Sequence, residues 1–408
     1  MPQNPASQHA RVRFDLNEVA PATQHWQTLD ALREEHPFVW NSYGENGAGY
    51  WIMTRYADVL AAFQDPHTFG NESIVPTDPE PAYRFLPSFI DPPQHVKYRK
   101  VLNRWFAPKA VAGFAPEITR VARELVAEVA AQGSTDYIHG FAEWFPVKVF
   151  LHSVGLPYDD EAHFVECVRL MSGAITGNPE HVQQMMAGWG GISDYWKDML
   201  ARRRAEPADP EVDLVSHLMR STIDGVPLPD DEILDLMVTL TLGSLDTLAS
   251  QLGWCMYHLA THEEDRRRLV ADPTMVPTAV EEFLRAYPII GMARKVTKDV
   301  DFRGCPMQKG DMVLLSIPAA TRDPRQFPEP DRVDITRSPN RHVTFGASEH
   351  RCLGSHLARA EMRTAITAWH ELIPEYRIAD GAELMARGGQ IALLNLPLVW
   401  DAKTGDTG

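Results

Sequence analysis

A single cysteine of this 408-residue chain stands in a setting suited to metal chemistry. It belongs to the segment Phe345-Gly346-Ala347-Ser348-Glu349-His350-Arg351-Cys352-Leu353-Gly354. The segment directly precedes a predicted helix, so aligned N–H dipoles and the two basic neighbours of Cys352 favour its thiolate over its thiol. The two glycines would let the backbone come close to the sulfur, and the phenylalanine ring could shield it. This arrangement indicates a single soft metal ligand, although a free cysteine is more often a small buried apolar residue.

An acid and an alcohol interrupt the middle of a long apolar segment that reads Leu242-Gly243-Ser244-Leu245-Asp246-Thr247. The hydrophobic period predicts one helix from about residue 231 to 262, roughly 45 Å long at 1.5 Å per residue. Gly243 weakens a helix, and the Thr247 hydroxyl can bond a backbone carbonyl and bend it. A hydroxyl that orders water beside a carboxylate that reaches solvent can deliver protons. The same residues are equally compatible with a packing notch and a surface aspartate.

Several charged residues are spaced for binding, although each could be a solvated side chain by itself. Glu282 and Arg285 lie three residues apart on one face of a predicted helix, a spacing most often found in surface ion pairs. His95 and Arg99 lie four residues apart on another predicted helix, and Arg294 follows a short apolar run. The planar guanidinium group of arginine suits carboxylate ligands.

The composition argues against several classes of partner and location. A net charge of −16 and a pI near 5.4 argue against binding to nucleic acid or to an anionic membrane. No uncharged apolar stretch reaches about 18 residues, and the polar N-terminal segment lacks the apolar run of a signal peptide. The four cysteines, at positions 167, 255, 305 and 352, share no metal or disulfide spacing. The expectation is a soluble protein of the bacterial cytoplasm.

The chain is expected to form one domain over residues 1–408 with a polar N-terminal tail of about residues 1–25, because no linker, repeat or low-complexity tract divides it. Periodicity predicts helices at 95–106, 116–131, 189–204, 231–262, 276–286 and 355–372. Short runs predict strands at 38–40 and 50–53, a small hairpin sheet between 296 and 316, and a β-like stretch at 391–399. The proline-rich stretch 74–89 is predicted to be a long ordered loop. The predicted fold class is therefore mainly α with small β-sheets.

The cysteine segment resembles the haem-ligand loop of the cytochrome P450 family, and residues 242–247 are similar to the oxygen-activation motif of that family. In each segment one serine, Ser348 or Ser244, stands where the family usually has glycine. The resemblance covers nearly everything from about Trp26 to Trp400. It implies a single large cytochrome P450-type fold with a long central helix crossing the haem. It also implies haem b as the cofactor, with Cys352 as the axial thiolate ligand.

The resemblance implies roles for most of the charged residues. Asp246 and Thr247 would deliver the protons that dioxygen needs before one oxygen leaves as water. The residues expected to hold the haem are His95, Arg99, Arg294 and His350, as partners of the propionates, with Cys352, Phe345, Gly346 and Gly354 in the ligand loop. The Glu282–Arg285 pair would join Arg332 in a buried structural triad.

Within the family the chain is most similar to soluble bacterial members that hydroxylate camphor. The resemblance places six residues at the substrate: Tyr83, Phe85, Ile74, Leu242, Gly243 and Ile290. Tyr83 would donate a hydrogen bond to an oxygen atom of the substrate. Several of these positions differ in shape from their counterparts in those members. The expected substrate is therefore a small hydrophobic terpenoid, either a camphor- or cineole-like monoterpenoid or a norisoprenoid.

The electrons are expected to come from outside, because the chain has no flavin or nicotinamide fingerprint and no iron–sulfur cysteine cluster. Basic residues near the cysteine segment of an acidic protein are typical of a docking face for an acidic redox protein. The expected docking residues are Lys97, Arg104 and Arg351, and the expected donor is an acidic [2Fe–2S] ferredoxin served by a separate NAD(P)H-dependent reductase. A non-catalytic haem-thiolate sensor and a peroxide-driven haem enzyme are the alternatives. Neither needs the pair Asp246–Thr247, so that pair favours a monooxygenase that hydroxylates its substrate with O₂.

Overall fold

A computed structural model of the protein describes residues 10–13, 15–43, 49–172 and 179–401. The helices of these ranges are α1 (Gln24–Glu35), α2 (Tyr56–Phe63), α3 (Gln94–Phe106), α4 (Pro108–Ala130), α5 (Trp144–Ser153), α6 (Glu161–Ser172), α7 (Pro179–Ala205), α8 (Leu214–Arg220), α9 (Asp230–Ser244), α10 (Asp246–Thr261), α11 (Glu263–Ala271), α12 (Val276–Ala286), α13 (Ile317–Ala320) and α14 (Ser355–Leu372). Helices account for about 53% of the structure. The expectation of a mainly α fold is confirmed.

The strands form one larger sheet and several small ones. They are β1 (Ala10–Val12), β2 (Val19–Pro21), β3 (Phe38–Asn41), β4 (Tyr50–Met53), β5 (Phe69–Gly70), β6 (Ser134–Asp136), β7 (Thr222–Ile223), β8 (Val226–Pro227), β9 (Met292–Val296), β10 (Val300–Phe302), β11 (Cys305–Met307), β12 (Met312–Leu315), β13 (Arg377–Ile378), β14 (Met385–Arg387), β15 (Ala392–Leu393) and β16 (Pro397–Val399). The larger sheet has the order β1-β3-β4-β12-β9-β5. Its β1–β3 and β4–β12 pairs are parallel and the others are antiparallel. Three-stranded sheets β13-β16-β6 and β15-β14-β2 tie the C-terminal segment to earlier parts of the chain.

Local periodicity predicted most of these elements closely. Helices α3, α12 and α14 match the predicted spans within one residue, whereas α4 and α7 begin earlier than predicted, at Pro108 and Pro179. The predicted hairpin sheet is present in part: β10 and β11 form a two-stranded hairpin, whereas the flanking β9 and β12 pair within the larger sheet. The turns at Gly304 and Gly310 are both at positive φ. The described stretch 74–89 contains neither helix nor strand, as expected for the predicted loop.

The N-terminal tail is shorter than predicted. Strand β1 pairs with β3 from Ala10 onward, and β2 pairs with β14, so the described part of the predicted tail belongs to the folded body. Residues 1–9 lie outside the described ranges. A polar sequence can join a sheet in this way because pairing uses backbone groups that every residue carries.

The predicted long helix is present as two nearly continuous helices, α9 and α10, over Asp230–Thr261. By length and composition this span could cross a membrane. It instead packs within the main hydrophobic core, against α5, α7, α12 and α14. A helix surrounded by protein in this way is a core helix.

The two helices meet at Leu245, whose φ of −90° and ψ of −68° depart from regular helical values. The Thr247 hydroxyl donates a 2.7 Å hydrogen bond to the carbonyl of Gly243 on the other side of this junction. The side-chain oxygen therefore occupies an acceptor that a regular helix would reserve for a backbone N–H. The weak point predicted at residues 242–247 is thus where the helix is interrupted.

Candidate active site around Cys352

An internal cavity of about 410 Å³ lies where the helix junction faces the cysteine loop. Most of the residues singled out from the sequence line it. They are Ile74, Phe85, His95, Arg99, Leu242, Gly243, Thr247, Ile290, Arg294, Phe345, Gly346, His350, Cys352 and Gly354. Asp246 and Tyr83 are the exceptions among the predicted catalytic and substrate residues, and both are placed elsewhere.

Cys352 presents its sulfur to this cavity. Protein surrounds the residue, yet its surface is accessible because it borders the internal space. The Cys352 N–H donates to the Phe345 carbonyl at 2.8 Å, which closes the loop behind the sulfur. Burial raises the pKa of the thiol, while a backbone hydrogen bond from Gly354 and the nearby Arg99 charge oppose that rise. A bound metal cation would supply the charge that stabilises the thiolate in this buried position.

The cysteine loop is anchored by Glu281 on α12, a residue that the sequence analysis missed. Its carboxylate accepts a bidentate pair of hydrogen bonds from Arg359, at 2.7 and 2.8 Å, and a third contact from His342 at 3.1 Å. Burial alone would raise the pKa of Glu281, but the hydrogen bonds from His342 and Arg359, with the charge of Arg359, bring it down to about 2. The Arg359 guanidinium also lies 4.5 Å above the ring of Phe345. Two adjacent glutamates, Glu281 and Glu282, are visible in the sequence, but the sequence predicted a role only for Glu282.

Two residues of the loop have left-handed backbone conformations. Gly346 has φ of 67°, which glycine adopts without strain, and Ser348 has φ of 60°. A non-glycine residue in this region costs roughly 1–2 kcal/mol. The resemblance placed glycine at position 348, and the positive φ gives the physical reason for that preference. Serine in place of glycine at position 348 affects the turn and leaves the cysteine in place.

The cavity wall carries an excess of buried positive charge. Arg294 is buried and donates a hydrogen bond to the neighbouring Ala293 carbonyl, and burial lowers its pKa to about 10. Burial also lowers the pKa of Arg99. Neither guanidinium forms an ion pair with a carboxylate among the described residues. Buried arginines are normally paired, so this wall is built to receive anionic groups.

Two histidines whose rings are in contact lie beside these arginines. The rings of His95 and His350 lie 3.9 Å apart between centroids, and His350 Nε2 is 3.0 Å from the carboxylate of Asp91. Asp91 was not predicted as a site residue; it also accepts two hydrogen bonds from Asn71. Burial, followed by the charges of His350 and Arg99, lowers the pKa of His95 to about 4. The Nδ1 atom of His95 is buried without a hydrogen-bond partner.

These features fit haem b. One thiol faces the cavity, and one wall carries unpaired guanidinium groups and an unpartnered imidazole nitrogen. A flat cofactor with an iron for the thiol and two propionates for the wall would satisfy these groups. A Cβ atom built at Gly243 or Gly354 meets no atom within 4 Å, so both glycines border open cavity space that a flat group could occupy. Cys352 would hold the iron, while Arg99, Arg294, His95 and His350 would bind the propionates.

The buried triad is present, but its third member is Arg337 and not the predicted Arg332. Glu282 accepts two 2.8 Å hydrogen bonds from Arg285 and two more from Arg337, at 3.0 and 3.1 Å. The Arg332 side chain is 68% exposed and lies 3.6 Å from Glu329. Only its backbone carbonyl accepts a hydrogen bond from Arg285. The chain turns after Arg332, so its charge stays in water and the later arginine reaches the buried carboxylate.

The two predicted catalytic residues have different surroundings at the helix junction. Thr247 lines the cavity, whereas Asp246 points away and forms an ion pair with Arg387 at 2.6 Å. Arg387 ends strand β14, about 140 residues later in the chain. Both partners are partly exposed, at 28% for Asp246 and 18% for Arg387. No local pattern could have identified Arg387, because the pairing depends on where the C-terminal strands pack.

Tyr83 is not among the residues that line the cavity, where its predicted contact with substrate would place it. Its ring packs against Phe85, Phe89 and Trp189, with centroids 5.1 to 5.8 Å apart. Burial, with Asp78 as a hydrogen-bond partner of the hydroxyl, raises the pKa of Tyr83 to about 12. The aromatic neighbours that made Tyr83 look like a pocket residue instead hold it in the loop.

Other polar side chains reach the cavity instead. Thr239 lines it with a buried hydroxyl that has no partner. Gln390 also lines it, and its Nε2 donates to the Ser250 hydroxyl at 2.8 Å, which leaves the amide oxygen available. The remaining wall is mostly apolar, with Ile74, Leu242 and Ile290 among its members. Such a pocket suits a hydrophobic molecule with few polar atoms.

The three predicted docking residues are at the surface. Lys97 forms an ion pair with Asp224, and Arg104 forms one with Glu211 at 2.8 Å. Arg351 is exposed beside the cysteine. Exposed ion pairs contribute little stability, so either cation could exchange its partner on contact with another protein.

Comparison with known proteins gives consistent matches. The family model described as cytochrome P450 matches residues 161–369. The mycinamicin IV hydroxylase/epoxidase of Micromonospora griseorubida is 33% identical over 370 residues, which cover 88% of this chain and 90% of that protein. The vitamin D(3) 25-hydroxylase of Pseudonocardia autotrophica is 34% identical over 345 residues, which cover 82% and 83% of the two chains.

Solved structures match over almost the whole chain. The crystal structure of cytochrome P450 CYP101C1 aligns with a TM-score of 0.86 and 29% identity, covering 96% of this chain and 98% of that one. The crystal structure of CYP101J2 aligns with a TM-score of 0.83 and 28% identity, covering 96% and 97%.

Proposed function

This chain belongs to the cytochrome P450 family, and from that premise we propose that it inserts one atom of O₂ into a C–H bond of a small hydrophobic terpenoid. Its relatives are hydroxylases and monooxygenases, and the protein is a haem-thiolate monooxygenase with haem b as cofactor. It takes electrons from a redox partner, as the family does. The identity of the substrate, the type of electron donor and the roles of individual residues are the proposal.

One observation carries the assignment of the cofactor site: Cys352 alone among the cysteines lines the cavity that also holds the unpaired arginines. When bound there, haem supplies the binding and reductive activation of O₂. The chain supplies the thiolate, which donates electron density to the iron, and the cations that hold the propionates. Glu281, through Arg359, keeps the loop that carries the thiolate in place.

Thr247 and Asp246 are proposed to deliver protons. Thr247 lines the cavity at the helix junction, and its hydroxyl oxygen can accept a hydrogen bond from an ordered water while its proton is donated to the Gly243 carbonyl. The Asp246 carboxylate is not among the groups that line the cavity, and it is partly open to solvent. Rotation of Asp246 away from Arg387 would bring a proton from the surface to the junction, where Thr247 passes it into the cavity.

The substrate proposal rests on the character of the wall. Apolar side chains favour a compact hydrocarbon skeleton, and the few polar groups fix its orientation. Thr239 and Gln390 are the groups placed to bond a carbonyl, ether or hydroxyl oxygen, in place of Tyr83. Camphor- or cineole-like monoterpenoids and norisoprenoids have this combination of a rigid apolar frame and one oxygen.

The proposed electron donor is an acidic [2Fe–2S] ferredoxin that a separate NAD(P)H-dependent reductase serves. Arg351 is exposed next to the cysteine, and Lys97 and Arg104 are surface cations on α3. A negatively charged partner bound here would lie close to the thiolate side of the cofactor. A cytoplasmic location follows as part of this proposal, since such ferredoxins and reductases operate there.

The first experiment tests the cofactor site. Haem-loaded protein is reduced under CO, and a strongly red-shifted Soret band is expected from thiolate ligation. Cys352→Ser should abolish that band, whereas Cys305→Ser, at a buried cysteine in the small hairpin, should retain it. Retention of the band in Cys352→Ser would refute the assignment.

The second experiment identifies the substrate. A panel of monoterpenoids and norisoprenoids is screened for the spin-state change of the ferric haem, and hits are turned over with a surrogate ferredoxin under ¹⁸O₂. A hydroxylated product carrying one ¹⁸O atom is expected. Binding only of large polycyclic molecules, or product formation with peroxide but not with reduced ferredoxin, would contradict the proposal.

A further inference from the structure

An aromatic cluster lies beside the cavity and has no part in the chemistry above. It consists of Trp26, Trp254, Tyr257 and Tyr287. The ring centroids are 4.4 Å apart for Trp26–Trp254, 5.5 Å for Trp26–Tyr287 and 6.0 Å for the stacked pair Trp254–Tyr287. Tyr257 continues the chain at 5.5 Å from Trp254. Tryptophan and tyrosine are the side chains that lose an electron most readily, and here they are in mutual contact.

Tyr287 is joined to a histidine and a carboxylate. Its hydroxyl is 2.9 Å from His258 Nδ1, and His258 Nε2 is 2.9 Å from the Asp265 carboxylate. His258 is buried, and burial lowers its pKa, so the imidazole is neutral at neutral pH. The tautomer that satisfies both neighbours has its proton on Nε2, donated to Asp265, and its Nδ1 free to accept the phenolic proton.

The cluster spans from the cavity to the surface. Gln251 lines the cavity and donates to the Tyr287 carbonyl at 3.2 Å. Leu284 and Ile289, on either side of Tyr287 in the chain, also line the cavity. One layer of protein therefore separates Tyr287 from the cofactor site. At the outer end Tyr257 is half-buried and Asp265 is partly exposed.

We propose that Tyr287 donates one electron toward the haem site, with His258 as proton acceptor, and that the aromatic cluster carries the oxidising equivalent to Tyr257 at the surface. The inference rests on the proposed function, because the oxidant is the haem centre left oxidised by O₂ or peroxide when no substrate is consumed. Its purpose would be to protect the cavity during such uncoupled turnover.

The step balances within the residues named. One electron leaves the Tyr287 ring for the oxidised haem centre, the phenolic O–H bond breaks, and the proton moves to His258 Nδ1. The Asp265 carboxylate compensates the charge of the imidazolium. An electron then moves inward from Tyr257 through Trp254, the proton returns from His258 to Tyr287, and the phenolic proton of Tyr257 leaves to solvent. A soluble thiol then gives Tyr257 one electron and one proton, and two thiols oxidised in this way end as one disulfide.

A second buried tyrosine–histidine pair provides a matched control. Tyr376 bonds His370 Nε2 at 3.1 Å, but His370 Nδ1 has no hydrogen-bond partner, so no carboxylate is hydrogen-bonded to this imidazole as Asp265 is to His258. The Arg266 guanidinium also lies 5.0 Å from the Tyr376 ring, where its charge opposes loss of an electron. Tyr287 and Tyr376 thus share burial and a histidine and differ in the carboxylate.

The test uses ferric holoenzyme without substrate, mixed with hydrogen peroxide and frozen within milliseconds for electron paramagnetic resonance. Wild type should show a tyrosyl radical whose hyperfine pattern changes with ring-deuterated tyrosine. Tyr287→Phe should lose most of this signal, and Asp265→Asn should weaken it, because an amide cannot compensate the imidazolium. Tyr376→Phe should leave it unchanged. Haem absorption under repeated peroxide should bleach faster in Tyr287→Phe than in wild type.

Other outcomes would overturn the inference. They are a wild type without a tyrosyl radical, a signal unchanged in both Tyr287→Phe and Asp265→Asn, or equal losses in Tyr287→Phe and Tyr376→Phe. The reduced CO spectrum of each sample separates these outcomes from a failure of the proposed function, which would appear as an absent thiolate band in wild type itself.

Discussion

Asp246 and Arg387 form an ion pair that links the junction of the central helix to the C-terminal β14 strand. The Arg387 guanidinium donates to the Asp246 carboxylate at 2.6 Å, and both side chains remain partly exposed. The next residue, Thr247, faces the cavity. Consecutive helical residues are about 100° apart around the helix axis, so the carboxylate can face solvent while the hydroxyl faces the cavity. A proton from solvent would reach the acid before the alcohol.

Asp246→Asn should slow product formation by about 10²-fold, which is the lower end of the rate loss expected when a proton-transferring group is removed. The solvent isotope effect on turnover should change with it. Arg387→Gln should have a smaller effect, since the carboxylate remains and only its orientation is lost. Steady-state rates in H₂O and D₂O check both. Equal losses in the two variants would mean that the ion pair itself, and not the acid, supports turnover.

Thr247→Ala should divert reducing equivalents to hydrogen peroxide while substrate affinity stays nearly unchanged, because the hydroxyl acts on the proton and not on the substrate. The measurement is the ratio of product to NAD(P)H consumed, with substrate binding followed by the spin-state change. Thr261→Ala is the control, because Thr261 makes the same kind of bond to a helix carbonyl at the far end of α10. Normal coupling in Thr247→Ala would remove Thr247 from the mechanism.

Arg337→Met should lower the free energy of unfolding by about 3 kcal/mol, because it leaves the buried Glu282 carboxylate with one of its two cationic partners missing. Arg332→Met should change it by no more than about 0.5 kcal/mol, since that side chain is exposed. Urea unfolding of the two holoproteins gives the comparison. A larger loss of stability in Arg332→Met than in Arg337→Met would show that Arg332 is the third member of the triad, as the resemblance implied.

Arg351→Glu should raise the KM for ferredoxin without changing substrate binding, because it places a negative charge where an acidic partner docks. Raising the ionic strength should weaken electron transfer to wild type, as charges separated by more than roughly 8–10 Å are screened. Lys197→Glu, an equal charge reversal on α7, is the control. Reduction that is insensitive to salt and to Arg351→Glu would place the docking face elsewhere.

Thr239→Val and Gln390→Leu should broaden the product distribution for a compact bicyclic substrate, because loss of an orienting hydrogen bond lets the molecule rotate. Binding should weaken by less than about tenfold, since one neutral hydrogen bond is worth on the order of 1 kcal/mol. Tyr83→Phe should leave the distribution unchanged, because its hydroxyl faces Asp78. Gas chromatography of the products separates the cases, and a shift only in Tyr83→Phe would show that the loop rearranges on binding.

Much of this site could be predicted from short segments. The cysteine loop, the weak point at residues 242–247 and the helices on either side of them depend on spacing within a few residues, and local backbone preferences hold in the folded chain. His95, Arg99 and Arg294 were predicted by resemblance and do line the cavity with Cys352. Their roles toward the haem remain predictions for the experiments above.

The tertiary structure alone decided which distant residues meet. Arg337 reaches Glu282 because the chain turns after Arg332, and Arg387 reaches Asp246 because β14 packs beside the helix junction. Tyr83 and Phe85 are in ring contact within one loop, but only Phe85 lines the cavity. Sequence spacing determines which side chains share a helix face, whereas the direction of a loop side chain and the partner of a buried charge depend on packing between segments far apart in the chain.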